Sequence, residues 1–78
     1  MGSLIFETAK WKKWLKMKGL LHKRTKGSHE IWDYPDGSLA RPVVFRGKKK
    51  QIPRLHIETC LDTLSIDFRQ FVKEYESL

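Results

Sequence analysis

The chain has 78 residues, a length that suffices for one small domain. Of these residues, 40% are hydrophobic and 32% are charged, and this composition is too apolar for a disordered segment. Lysine and arginine number 16 against 9 acidic residues, and the net charge of +7 favours a polyanionic partner: nucleic acid, an anionic membrane surface or an acidic protein. The clustering of the basic residues favours RNA or DNA among these. The one cysteine, Cys60, excludes an intrachain disulfide and a cysteine-rich zinc site, and its apolar neighbours predict a core residue.

Several sequence features favour a cytoplasmic protein without a cofactor. No apolar run is long enough to span a bilayer, and Met1 to Phe6 lacks the basic start and long apolar stretch of a signal peptide. The histidines His22, His29 and His56 do not have the spacing of metal ligands. We therefore expect no bound metal and no membrane association.

The first predicted element is an amphipathic helix that follows a short apolar lead-in, residues 4–6, and begins with Thr8 as its N-cap. Its apolar positions follow the i, i+3, i+4 spacing of one helix face: Trp11, Trp14, Leu15 and, as a further candidate, Met17. Gly19 is a natural stop after a lysine-rich last turn. The remaining lysines indicate either a solvated face whose aliphatic stems cover the tryptophans or a surface that contacts phosphates.

Three extended segments follow, over residues 20–26, 29–34 and 39–45, and we expect them to form an antiparallel meander. Residues 27–28 (Gly-Ser) separate the first two segments. Residues 35–37 (Pro-Asp-Gly) supply the turn between the second and third, because proline presets φ and glycine allows a positive φ.

The position of each strand in the sheet is only partly predictable. Pro42 cannot donate a ladder hydrogen bond, so the third strand is expected at an edge or with a bulge. His29 shares one strand face with Ile31, and Trp32 lies on the other. The pattern alone does not tell whether His29 points to the core or to solvent.

A basic loop, residues 46–50, precedes a second helix that begins near Pro53. Asp67 lies near the start of a short third helix. The apolar sides of these helices are formed by Ile57, Cys60, Leu61 and Leu64, and by Phe68, Phe71, Val72 and Tyr75. The predicted fold class is therefore α+β: one domain over residues 1–78, with helices packed on one face of a three-stranded antiparallel sheet and a short extra C-terminal helix.

His29 is the residue whose local surroundings best suit catalysis. A lone strand histidine is more often structural or merely exposed. On a basic domain, however, a neutral imidazole could remove the proton of an RNA 2′-hydroxyl, which is a nucleophile that the substrate itself carries. Lys26 and Arg24 lie close in sequence and could offset charge on the phosphate.

The order of these residues resembles HicA-type toxins, the YcfA-like mRNA interferases. The resemblance rests on a helix followed by Gly19-Leu20-Leu21, on the segment Arg24-Thr25-Lys26-Gly27-Ser28-His29, and on a strand that ends in Pro35-Asp36-Gly37. The family's next strand, loop and helix are matched by Pro42, Gly47-Lys48 and residues 55–64. The match covers roughly residues 11–71, and Gly-Ser-His in register with its flanking elements is its most specific part.

The resemblance implies an αβββα fold like that of double-stranded-RNA-binding domains and an endoribonuclease that cleaves mRNA without a metal. It assigns His29 as the catalytic residue and Gly27 and Ser28 as its supporting turn. It also implies that the chain is the toxin of a type II toxin–antitoxin system and binds a HicB-like antitoxin that covers the histidine. Many members have a second histidine two positions after the strand-three proline, where this chain has Val44.

In that fold class the RNA-facing parts are the first helix, the loop between the first two strands and the start of the second helix. Basic residues concentrate in these parts, and we expect these to bind RNA: Lys12, Lys16, Lys23, Arg24, Lys26, Lys48, Lys49 and Lys50. Two other functions remain open from the sequence. One is a non-catalytic RNA-binding module on the same scaffold, and the other is an adaptor whose basic face meets an acidic protein.

Overall fold

A computed structural model describes residues 5–78, so the first four residues, including Leu4 of the predicted lead-in, lie outside it. The elements are β1 Phe6–Glu7, α1 Thr8–Met17, β2 Leu21–Lys26, β3 His29–Asp33, β4 Val43–Arg46, β5 Gln51–Ile52, α2 Arg54–Leu64 and α3 Phe68–Glu76. The predicted α+β fold, with its αβββα order and extra C-terminal helix, is confirmed. Within residues 5–78, no helix combines the length and the apolar composition required to cross a membrane.

The main sheet has the strand order β2-β3-β4 and is antiparallel, with β4 at one edge. Its register pairs Trp32 with Val43 and Glu30 with Phe45, so these four side chains lie on one face. Trp32, Val43 and Phe45 are buried there against the helices. Because side chains alternate along a strand, His29 lies on the opposite face. The burial of Trp32 therefore answers the question that the pattern left open.

The helices complete the core on the Trp32 face. Trp11, Trp14 and Leu15 of α1 are fully buried, as the helical spacing predicted. Phe71 of α3 is also fully buried, and its ring centroid lies 5.5 Å from that of Trp11 and 4.8 Å from that of Trp14. The indole N–H of Trp14 donates to Glu74 of α3 at 2.9 Å. Helix α3 is therefore an integral part of the core.

The prediction that Thr8 caps α1 was wrong. Glu7 is the N-cap, without a side-chain cap hydrogen bond, and Thr8 is a buried residue of the first turn. A two-residue ribbon that the sequence analysis missed explains the difference, because β1 pairs with β5 and places Phe6 beside Ile52. The Thr8 N–H then donates to the Lys50 carbonyl at 2.9 Å. A backbone oxygen thus satisfies this helix-start donor, and no capping side chain is needed.

Other element ends differ in part from the prediction. The third strand begins at Val43 rather than at residue 39, because Pro42 has no N–H to contribute to the ladder. Met17 is 52% exposed and does not join the apolar stripe of α1. Gly19, with a φ of 94°, follows α1 in the left-handed region as predicted.

Candidate active site

His29 is the first residue of β3 and directly follows the Gly27–Ser28 turn. Gly27 has a φ of 62°, which glycine adopts at little cost, and the turn leads the chain from β2 into β3. The Cα partners of His29 are Lys26 on β2 and Arg46 on β4. Residues directly opposite each other share a sheet face, so the exposed imidazole has a cation on either side.

A groove of about 640 Å³ lies between the edge strand β4 and helix α2. His29 from β3 and His56 from the first turn of α2 both line it, and we call it the two-histidine groove. The residues that line it include His29, Val44, Arg46, Lys49, His56 and Cys60. Among the described residues that line it, none is acidic. The groove therefore presents two imidazoles and two cations to a ligand, without a carboxylate to repel an anion.

Cys60 forms part of the buried wall of the groove and is 7% exposed. Burial raises the pKa of its thiol to about 11, although a backbone hydrogen bond from Val44 acts in the opposite direction. The thiol is protonated at neutral pH and is therefore a poor nucleophile. Cys60 is a core residue, as the sequence predicted, and its contact with Val44 joins α2 to the edge strand.

The predicted RNA-binding residues differ in where they lie and in what their side chains contact. Lys49 lines the two-histidine groove, and Arg24 and Lys26 lie on β2 on the same sheet face as His29. Lys23 is exposed, and its ammonium donates to the Pro35 carbonyl at 2.9 Å. Three further cations are exposed on α1 and in the turn after β4: Lys16, Lys48 and Lys50.

Lys12 has an internal role that the sequence did not reveal. Its ammonium lies 2.7 Å from the Glu30 carboxylate and 3.2 Å from the Gly47 carbonyl oxygen. The indole N–H of Trp32 also donates to Glu30, at 3.0 Å. Burial acts to raise the pKa of Glu30. The hydrogen bonds from Lys12 and Trp32 and the charges of Lys12 and His22 outweigh burial, so the pKa of Glu30 lies below its ordinary value. The network joins α1 to β3 and to the turn that follows Arg46.

His22, by contrast, lies on the Trp32 side of the sheet. Its ring stacks on the Trp32 indole at a centroid distance of 5.5 Å, and Nε2 lies 2.8 Å from the Thr25 hydroxyl oxygen. His22 does not line the two-histidine groove. It therefore serves as a matched control for experiments on the other two histidines.

Arg46 and His56 are members of the site that were not predicted from the sequence. Arg46 is placed beside His29 by the register of β3 and β4, and His56 is brought to the groove by α2. Local spacing contains no signal for either contact, because the residues involved lie on different elements. Within residues 5–78, no group of three or more histidine, cysteine or acidic side chains could hold a metal ion. No family model matches the chain, and no curated protein matches it.

Proposed function

We propose that the chain is a HicA-like endoribonuclease that cleaves mRNA without a metal, with His29 as a proton-transfer residue. The observation that supports this function is the exposure of His29 in a groove lined by Arg46 and Lys49 and free of acidic residues among its described lining. In the wider proposal the protein is a cytoplasmic toxin, and its partners are mRNA and a HicB-like antitoxin.

The chemistry needs few groups from the protein, because RNA supplies the attacking 2′-hydroxyl. His29 transfers a proton in the step in which the 2′-oxygen attacks phosphorus. Arg46 and Lys49 lie where they can offset the negative charge that increases on the phosphate oxygens. Proton transfer of this kind contributes about 10²–10⁴-fold, which suits a slow nuclease that acts on an abundant polymer.

The test is the cleavage of a labelled mRNA fragment by the purified chain in the presence of EDTA. We expect wild type to cleave and His29→Ala to be slower by about 10²-fold or more. His22→Ala is the matched control and should retain cleavage, because His22 lies outside the groove. Equal cleavage by wild type and His29→Ala would remove His29 from the mechanism.

The second candidate is a non-catalytic RNA-binding module on the same scaffold. The observation that favours it is Val44, which lines the groove at the position where many HicA-type toxins have a second histidine. This candidate predicts intact RNA after long incubation together with salt-sensitive binding. For single strands, log K should fall with log salt by about 0.7 for each phosphate contact. Unchanged RNA mobility at low salt would instead indicate an adaptor for an acidic protein.

A further inference from the structure

Two of the three histidines face the same groove, and the third does not. His29 and His56 are exposed and line the two-histidine groove from β3 and α2. Among residues 5–78, no side-chain hydrogen bond or ion pair engages either imidazole, whereas His22 stacks on Trp32 and contacts Thr25. Both groove imidazoles are therefore available to a ligand.

The surroundings of His56 do not indicate a structural role. It lies in the first turn of α2, and the buried residues of that helix are Ile57, Cys60 and Leu61, on another side of the helix. Its backbone N–H donates to the Pro53 carbonyl, a bond that any residue at this position could make. Replacement of the His56 side chain should therefore leave the fold intact.

The volume and lining of the groove suit one phosphodiester with part of its flanking nucleotides. About 640 Å³ lies within the range of about 300–1,000 Å³ typical of small-ligand sites. Arg46 and Lys49 supply the positive charge, and the imidazoles supply two groups that exchange protons. Cleavage by the 2′-hydroxyl needs one group that accepts a proton and one that donates a proton.

We propose that His56 is the second catalytic residue and that His29 and His56 divide the roles of general base and general acid in RNA cleavage. This inference rests on the proposed function. In the step, one neutral imidazole accepts the 2′-hydroxyl proton while the bond between O2′ and phosphorus forms. The bond between phosphorus and O5′ breaks, and the other imidazole, protonated, gives its proton to O5′. The products are a 2′,3′-cyclic phosphate and a 5′-hydroxyl, and exchange with water restores both histidines.

The experiment compares two RNA oligonucleotides that differ by one atom at the scissile phosphate. One has the natural bridging 5′-oxygen, and the other has sulfur there, which leaves as a thiolate without needing a proton. Wild type, His29→Ala, His56→Ala and His56→Gln are measured on both substrates, and His22→Ala is the control. Urea unfolding midpoints of all variants verify that each is folded at the assay temperature.

We expect both groove variants to cleave the oxygen substrate more slowly than wild type, by about 10²-fold or more. On the sulfur substrate, one of them should recover most of the wild-type rate, because the general acid is no longer needed, and the other should remain slow. His56→Gln should behave as His56→Ala does, since an amide preserves polarity but transfers no proton.

Three results would overturn the inference. Wild-type rates for folded His56→Ala on the oxygen substrate would remove His56 from catalysis, while a slow His29→Ala would preserve the proposed function. Slow cleavage of both substrates by both variants, with no recovery on sulfur, would show that His56 does not share the proton transfers. Absence of cleavage by wild type would reject the proposed function together with this inference.

Discussion

Gly47→Ala is expected to destabilise the protein through one steric contact. Gly47 follows β4 and does not have a positive φ; within residues 5–78 the glycines with a positive φ are Gly19, Gly27 and Gly37. Alanine is therefore compatible with its backbone conformation, and the change could even stabilise the chain by about 0.4–1 kcal/mol through the unfolded state. A Cβ at Gly47, however, would overlap with the carboxylate and side-chain carbons of Glu30. Glycine is needed here for space rather than for conformation.

The size of the effect follows from what holds Glu30 in place. To make room, its carboxylate must leave the Lys12 ammonium at 2.7 Å and the Trp32 indole N–H at 3.0 Å. A hydrogen bond to a charged group contributes about 1.5–3 kcal/mol. The Glu30 side chain is 12% exposed and that of Lys12 29% exposed, so water replaces part of the loss. We expect a cost of about 2–3 kcal/mol, a large part of the roughly 4–12 kcal/mol typical of a chain this long.

The assay is urea unfolding of Gly47→Ala, Glu30→Ala and the double variant. In the Glu30→Ala background the side chain that a Cβ at residue 47 would meet is absent. Gly47→Ala should then change the free energy of unfolding by less than about 1 kcal/mol. An equal loss of about 2–3 kcal/mol in both backgrounds would refute the steric explanation and indicate backbone strain at Gly47.

Three further predictions concern the packing of the core, the reactivity of the Cys60 thiol and the loss of stability at acidic pH. Phe71→Ala should lower the free energy of unfolding by about 3–5 kcal/mol in urea titrations, because the ring is fully buried among aromatic side chains; a loss below about 1 kcal/mol would contradict a core role for α3. Cys60 should react slowly with a thiol reagent at pH 8 and rapidly after unfolding, since burial raises its pKa to about 11; equal rates would show an accessible thiolate. The pKa of Glu30 is lower in the folded state than in the unfolded state, so its stabilisation is complete at neutral pH and is lost as the pH falls below the ordinary glutamate value of about 4.3. Glu30→Gln should therefore flatten the stability profile in that range, and an unchanged profile would show that Glu30 does not contribute.

Features that depend on periodicity along one element were predictable from the sequence. The stripe of Trp11, Trp14 and Leu15 predicted the buried face of α1, and the turn residues predicted the strand order of the main sheet. Pro42 predicted either an edge position or a bulge for the third strand, and β4 lies at an edge and begins directly after Pro42. In each case the residues that determine the structure are neighbours in the chain.

Features that depend on contacts between elements were not predictable in the same way. The ribbon of β1 and β5 has two residues per strand, too few for a period, and it determines how the start of α1 is satisfied. The sequence around Lys12 is like that of the other lysines of α1, and only the fold brings Glu30 of β3 next to its ammonium. His56 is identified as a site residue only in the folded protein, because the packing of α2 against β4 places it in the two-histidine groove with His29.

The most direct test of the proposed function is to identify the chemical groups at the two RNA ends that cleavage produces. Mass spectrometry of fragments produced by the purified chain in EDTA should find a 2′,3′-cyclic phosphate on one side of the cut and a 5′-hydroxyl on the other, because the 2′-hydroxyl is the nucleophile. A substrate with 2′-deoxyribose at the cleavage site should remain intact. Fragments with a 3′-hydroxyl and a 5′-phosphate, or cleavage of the deoxy substrate, would show that water attacks the phosphate and would contradict the role given to His29.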